Sequence, residues 1–352
     1  MHSFAMARSV RGIEALVAAE IRGSGLGVVR ETRHREVWFE AAPGADLRRL
    51  RTADDVLLAA AVVDGVGHDR TALRRLARAA RDLGAGLSAR ADGVRVLEVS
   101  ASFVGRRTYT RFDIEDAVGA ELARPLRLTY HSRRGGGRPP SGAMAWRVTI
   151  EGDRAVIAVR PGDRPLHRRP YKTASVRGTL HPPLAAAMAR LARLEKIRTV
   201  VDPCCGAGTT LIEARPFAQG ADVRLAGFDH DRAAVTAASA NARAAAESPG
   251  GENATGRPFA WTVADGGRIP VADGGADRVL VNPPWGRQVP PRGLLTGDLR
   301  PLWREVRRVL AADGLAVALV HDEIPRGFTV EDVVEVSLSG QHPLIAVLRP
   351  GR

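Results

Sequence analysis

The chain has 352 residues, 45% of them apolar, and carries 52 basic and 39 acidic side chains for a net charge of +13. That size allows two or three domains with sizeable cores. It is not a disulfide scaffold, because Cys204 and Cys205 are the only cysteines and adjacent residues make a poor structural bridge. No zinc-ligand spacing is present, the N-terminus lacks an apolar leader core, and no run nears the ~18 apolar residues of a membrane span. The expectation is a cytoplasmic, monomeric protein with neither metal nor membrane partner. The charge is unevenly spread: residues 1–170 hold 30 basic and 20 acidic residues, residues 171–352 hold 22 and 19. A basic first half and a near-neutral second half suit a polyanion-binding module joined to a chemistry module.

In chain order, residues 1–66 read as a small α/β unit. Ser3–Ala7 is a short strand, and Ile13–Ile21 a helix with Ile13, Leu16, Val17 and Ile21 on one stripe. Val28–Glu31 and Glu36–Glu40 form a hairpin, Asp46–Arg51 a helix, and Asp54–Val63 a further apolar segment. Residues 67–165 read as a second α/β unit. Thr71–Leu83 is an amphipathic helix, Val94–Ser100 a strand, Asp113–Leu122 a helix capped by Asp113, and 146–150 with 155–160 a hairpin. Basic clusters punctuate this half: Arg106 and Arg107 beside Tyr109, Arg133 and Arg134 in a glycine-rich loop, and Arg168 and Arg169 before Tyr171. They suit phosphate contacts, with Tyr109 or Tyr171 as stacking rings. Residues 166–198 are a linker and a packing helix, Leu184–Leu194, led in by Pro182 and Pro183; His181 is structural in this reading.

From Thr199 to the end the pattern becomes strand–helix–strand. Strands are expected at 199–202, 225–229, 259–263, 277–282 and 314–320, helices at 209–214, 231–246 and 298–310, a loop at 248–257, and a closing hairpin at 329–338 and 344–349. Strands separated by helices imply a mostly parallel, doubly wound sheet, with ligands at the carboxyl ends of its strands.

Chemistry-bearing residues fall at those ends in succession. Asp202 ends the first strand, and Gly206 and Gly208 follow it, where the backbone can approach a ligand. Asp229 ends the second, placed to accept from two ribose hydroxyls. Asp265 follows the third, placed to accept from an adenine amine. Cys204, Thr209, His230 and Gly266 flank these positions and complete the candidate cofactor set. At the fourth end stands Asn282-Pro283-Pro284-Trp285-Gly286. The Asn282 amide oxygen and the Pro283 carbonyl offer two adjacent acceptors for an exocyclic amine, and Trp285 a flat face for its base. Asn282, Pro283 and Trp285 are therefore the catalytic candidates. A dinucleotide fingerprint would require a third glycine where Leu211 stands. A nucleoside cofactor without a pyrophosphate, such as S-adenosylmethionine, fits better.

The run Val201–Thr209 resembles the first motif of Rossmann-like, S-adenosylmethionine-dependent methyltransferases, and Asn282–Gly286 resembles that of their amino-methylating branch. With Leu166–Lys172 and Leu180–Pro182, the chain resembles the THUMP-domain tRNA guanine-N2 methyltransferases. The resemblance implies a ferredoxin-like domain over 1–66, a THUMP RNA-binding domain over 67–165, and the catalytic domain over 199–352. It also implies tRNA as partner, with methylation of a guanine N2 in or near the acceptor stem. The chain departs from the family pattern in Trp285, where tyrosine or phenylalanine is commoner, and in having Lys172 and Lys196 as its only lysines. Three rival readings stand beside it. One is the same chemistry on ribosomal RNA guanine, adenine N6 or a glutamine amide. The second is a catalytically inactive RNA-binding protein, and the third a dinucleotide oxidoreductase.

Overall fold

The computed structural model describes residues 3–83, 93–218, 223–247, 259–286, 289–321, 323–338 and 340–351. The loop expected at 248–257 lies outside them. The chain divides into two compact units. The first comprises 1–8, 21–50 and 55–165; the second comprises 9–20, 51–54 and 166–352.

The first unit is built from β1 (Ser3–Arg8), β2 (Gly27–Arg33), β3 (Glu36–Ala41), β4 (Asp55–Val63), β5 (Val96–Phe103), β6 (Thr129–His131), β7 (Met144–Glu151) and β8 (Arg154–Val159), with α2 (Thr71–Leu83) and α3 (Arg111–Leu126); α1 (Glu14–Gly23) precedes β2. All eight strands join one sheet in the order β2-β3-β1-β4-β8-β7-β5-β6. Side chains alternate across a strand, and here the two faces differ sharply. Leu97, Val99, Trp146, Val148, Ile150, Ala155 and Ile157 bury one face against Leu76, Ile114, Val118 and Leu122 of α2 and α3. Positions of the other parity put Met6, Trp38, Leu57, Val156 and Ala158 into a separate small cluster that contains no helical residue.

Two local expectations are corrected, and one strand was not expected. Asp113 is not the cap of α3: Thr110 is, and Asp113 completes a capping box three residues on. The hydrogen bond from the Thr110 N–H, then one from Arg134, hold the Asp113 carboxyl at about 2. The helix expected at 46–51 is a single tight turn, Leu47–Arg49, capped by Asp46. The three-residue β6 escapes a reading based on alternation, being too short to show a period.

The second unit holds a seven-stranded sheet: β9 (Thr199–Asp202), β10 (Arg224–Asp229), β11 (Phe259–Val263), β12 (Ala276–Val281), β13 (Leu310–Val320), β14 (Phe328–Glu335) and β15 (Leu344–Pro350), in the order β11-β10-β9-β12-β13-β15-β14. The first five are parallel; β15 runs antiparallel to both its neighbours, β13 and β14. Helices α4 (Pro182–Leu191), α5 (Thr209–Ala214), α6 (Arg232–Glu247) and α7 (Arg300–Val309) connect and cover it. The fold is thus α/β, Rossmann-like in this unit, with two separate cores on the faces of the sheet. Successive strands β9, β10 and β11 build outward in one direction, and β12 returns to the other side of β9. The crevice for a ligand opens where that order reverses, at the carboxyl ends of β9 and β12.

Candidate active site

Register brings the expected residues to one place. Val201 pairs with Val279, so the tips of β9 and β12 emerge side by side, while Gly227 of β10 pairs with Asp202 and Asp229 with Val263 of β11. The segment after β9 turns on Gly206 at φ 53° and Gly208 at φ 79°, both left-handed. The two glycines serve different needs. A side chain at Gly208 would run into Trp261 at 2.9 Å and Ala238 at 3.0 Å, so that glycine lets the turn pack against the protein itself. A side chain at Gly206 would meet only Val176, at 3.7 Å, so that glycine leaves room for a ligand. Gly266 also packs inward, against Pro203, Cys204 and Leu302.

Three strand-end carboxylates surround the loop. Asp202 is buried and accepts from the Cys204 N–H at 3.0 Å and from the Thr210 hydroxyl. Burial pushes its pKa up to about 7. Asp229 accepts from the N–H groups of Gly206 at 2.8 Å and Asp231 at 2.9 Å, and burial raises it too. Asp265 accepts from Gly267 and Leu294 N–H groups, each at 2.8 Å, with the His230 ring nitrogen 4.0 Å away. The Cys204 thiol lies within the field of all three. Burial first, then Asp202, Asp229 and Asp265, drive its pKa well above the ordinary range. Each carboxylate oxygen keeps a free lone pair after these backbone bonds. Thr209 adds a buried hydroxyl at the start of α5 that has no hydrogen-bond partner among the described residues. Among the described residues the desolvated Asp202 and Asp229 have no ion-pair partner; with an orphan hydroxyl and an open glycine cradle, they fit a ligand rich in hydroxyl and amine donors that carries positive charge.

Across the crevice, Asn282 donates from Nδ2 to the Gly178 carbonyl at 3.4 Å and accepts at Oδ1 from the Trp285 indole N–H at 3.1 Å. Because the indole can only donate and the carbonyl only accept, the amide has one orientation. Pro283 is buried at its side. Trp285 is not the freely exposed ring expected: it is half-buried, packs on both cores, and stands edge-on to His321 with centroids 4.4 Å apart. Its N–H buttresses the amide it was expected merely to neighbour.

The segment 173–179 spans the space between the two tips. Its Val176 side chain faces Gly206 and its Gly178 carbonyl holds Asn282. Asn241 of α6, fully buried, anchors it by accepting from the Ala174 N–H at 2.9 Å and donating to the carbonyls of Ala174 at 2.9 Å and Ala207 at 3.0 Å. Sequence reasoning passed over Asn241. The available signal was a lone amide on the buried stripe of Ala234, Ala237, Ala238 and Ala242.

The basic residues singled out for RNA separate into used and unused charges. Arg169 is buried, with Nε donating to Glu213 at 2.9 Å, and Arg51 donates to the same carboxylate at 2.9 Å. Those two cations hold the buried Glu213 carboxyl below its ordinary pKa against the opposing effect of burial. Tyr171 is buried and donates to Glu213 at 2.7 Å, and Tyr109 is buried and donates to the Gly67 carbonyl at 2.9 Å. Neither ring is free to stack on a base. Arg107 spends its guanidinium on the Val66, Gly67 and Gly152 carbonyls. Arg134 pairs with Asp116 at 2.8 Å and Asp113 at 2.9 Å, and Arg133 lies 3.8 Å from Glu98. Arg106 and Arg168 remain exposed. His181 pairs with Asp54 at 2.7 Å.

Known proteins resemble this chain in sequence and in fold. Residues 169–328 match the UPF0020 family, described as the RMKL-like methyltransferase domain. The tRNA (guanine(6)-N2)-methyltransferase of Thermus thermophilus is 29% identical over 270 residues, covering 73% of each chain. The crystal structure of TrmN from Thermus thermophilus superposes with a TM-score of 0.78 at 26% identity, over 99% of this chain and 100% of that one. The mouse U6 snRNA (guanine-N(2))-methyltransferase THUMPD2 is 30% identical over 166 residues, which cover 47% of this chain and 28% of that protein. Among the described residues no helix is long and apolar enough to cross a membrane. The chain is therefore an S-adenosylmethionine-dependent methyltransferase whose residues 169–328 are similar to the RMKL-like methyltransferase domain.

Proposed function

We propose that the enzyme methylates the exocyclic N2 amine of a guanine in tRNA, in or near the acceptor stem. The observation that carries this reading is the oriented Asn282 amide beside the Gly206 loop. An amide oxygen and a proline carbonyl accept hydrogens from an amine; a carbon or hydroxyl target would not use both. The names of the Thermus and mouse relatives support guanine N2 as the atom, and the Thermus name supports tRNA.

In this reading residues 1–66 and 67–165 form ferredoxin-like and THUMP modules that hold the RNA, 166–198 the linker and packing helix, and 199–352 the catalytic domain. The target base leaves its stack, at a cost of a few kcal/mol. Asn282 Oδ1, one lone pair already committed to Trp285, accepts one amine hydrogen with the other, and the Pro283 carbonyl accepts the second. This localises the nitrogen lone pair and points it across the crevice. S-adenosylmethionine supplies an activated methyl group on its sulfonium. Gly206 and Thr209 would hold its methionine part, Asp229 its ribose, and Asp265 with His230 its adenine, while Asp202 braces the loop through Cys204 and Thr210. Positioning and exclusion of water provide most of the rate.

Mass spectrometry of nucleosides from tRNA incubated with the enzyme and S-adenosylmethionine tests the proposal. N2-methylguanosine at one acceptor-stem position is expected. Methylation of another atom, or none with tRNA but some with ribosomal RNA, rejects it.

A further inference from the structure

The helix-free face of the first sheet holds a charge that the fold leaves unbalanced. Arg147 of β7 points from this face, with Ser100 of β5 and Ala158 of β8 as its register neighbours. Its guanidinium donates to Ser102 Oγ at 2.9 Å and Ser100 Oγ at 3.4 Å, neither of them a carboxylate. Among the described residues its buried Nε has no hydrogen-bond partner and its guanidinium forms no ion pair. Burial, then the like charges of Arg8 and Arg160, lower its pKa from the ordinary arginine value. Asp55 acts in the opposite sense but is already gripped by Arg160 through bonds of 2.7–3.1 Å.

The face is also concave. Arg8 on β1 donates to Thr149 on β7 at 3.4 Å, although the two strands stand three places apart in the sheet. In a flat sheet that separation is about 14 Å, farther than an arginine side chain reaches. Trp38 of β3 and Val156 of β8 share one apolar cluster for the same reason. The result is a curled face whose apolar side chains and Thr149 are buried, with Arg8 held 3.7 Å from the Glu36 carboxylate and Arg147, Ser100 and Ser102 only partly covered.

A half-buried guanidinium without a counter-ion is costly to a fold, and a planar fork flanked by hydroxyls matches the oxygens of a phosphate. We propose that this concave face binds a backbone phosphate of the substrate RNA, with Arg147 as the central contact and Ser100 and Ser102 flanking it. The proposal rests on the reading above that the substrate is RNA, and it places one RNA contact on residues outside the basic clusters.

The test uses the full chain with Arg147→Gln and, separately, Ser102→Glu, which supplies the missing carboxylate from within. Binding of tRNA is measured by fluorescence anisotropy across a salt series. Each variant is expected to bind about tenfold more weakly and to lose about one unit from the slope of log affinity against log salt. The KM for tRNA should rise in step. Ser102→Glu should melt at or above the wild-type temperature, so it decides the matter if Arg147→Gln does not fold. If folded variants bind tRNA as the wild type does, with the same salt slope, the proposal for this face fails while tRNA methylation by the wild type still stands. If the wild type neither binds nor methylates tRNA, both readings fall together.

Discussion

The strand tips of the second sheet and the concave face of the first are electrostatic opposites. At the tips, Asp202 and Asp229 are desolvated, hydrogen-bonded only to backbone or hydroxyl groups, and raised in pKa. On the concave face, Arg147 is desolvated, hydrogen-bonded only to hydroxyls, and lowered. A third place shows what the chain does when a buried charge is only structural: Glu213 receives Arg51, Arg169 and Tyr171 at once and is lowered. Glu213 is paired entirely from within the fold. At Asp202, Asp229 and Arg147 the pairing is incomplete, and in the reading proposed above a ligand of the opposite sign completes it, a sulfonium-bearing cofactor in one region and a phosphate in the other.

Experiments can break or sharpen this contrast. The largest effect should come from Asn282→Ala, which removes the amine acceptor: turnover should fall by about a thousandfold, consistent with losing a group that acts in the transition state. S-adenosylmethionine binding, followed by calorimetry, should persist, because Asn282 is bonded to Gly178 and Trp285 rather than to the glycine loop. Near-normal turnover would remove the proposed mechanism.

Glu213→Ala should cost about 3–5 kcal/mol of stability in urea unfolding, since it strands Arg51 and Arg169 without their partner. A change below about 1 kcal/mol would mean that the pairing is not what distinguishes scaffold from site.

The pH dependence follows from Asp202. With a folded value of about 7 against an ordinary 3.8, the folded chain holds a proton that the unfolded chain has released between those values. Its contribution to stability therefore declines as pH rises through that window and is flat above it, by on the order of 2–4 kcal/mol in all. Cofactor binding should run the other way, tightening from pH 6 to 8 as Asp202 ionises beside a cation. Asp202→Asn should flatten both profiles; a wild-type stability that climbs over the same range contradicts the assignment.

Asp229→Asn should weaken S-adenosylmethionine by about tenfold in equilibrium dialysis, the worth of one charge-assisted hydrogen bond. The smallest effect belongs to Trp285→Phe, which keeps the ring but deletes the N–H that fixes Asn282. A loss of about 1 kcal/mol in kcat, roughly fivefold, is expected with the cofactor affinity unchanged. An unaltered kcat would show that the Gly178 carbonyl alone orients the amide.

Much of the second unit was legible in the residues themselves. A strand buried on both faces is an apolar run, a doubly wound sheet places chemistry where such runs end, and Asp202, Asp229, Asp265 and Asn282 stand at those ends. Side-chain period and glycine placement are local properties, so a linear reading captures them. Pairing across the chain is not local. Nothing in the linear order shows that Arg169 is consumed by Glu213, that Tyr109 and Tyr171 are buried, or that Asn241 ties segment 173–179 to the loop carrying Gly206. The curl that brings Arg8 of β1 to Thr149 of β7, and leaves Arg147 without a carboxylate, depends on an eight-stranded sheet closing on its own face. Residue type determined which charges exist and which strand ends could hold chemistry. Only the tertiary structure decided which of those charges are neutralised, because neutralisation depends on distances between residues far apart in the chain.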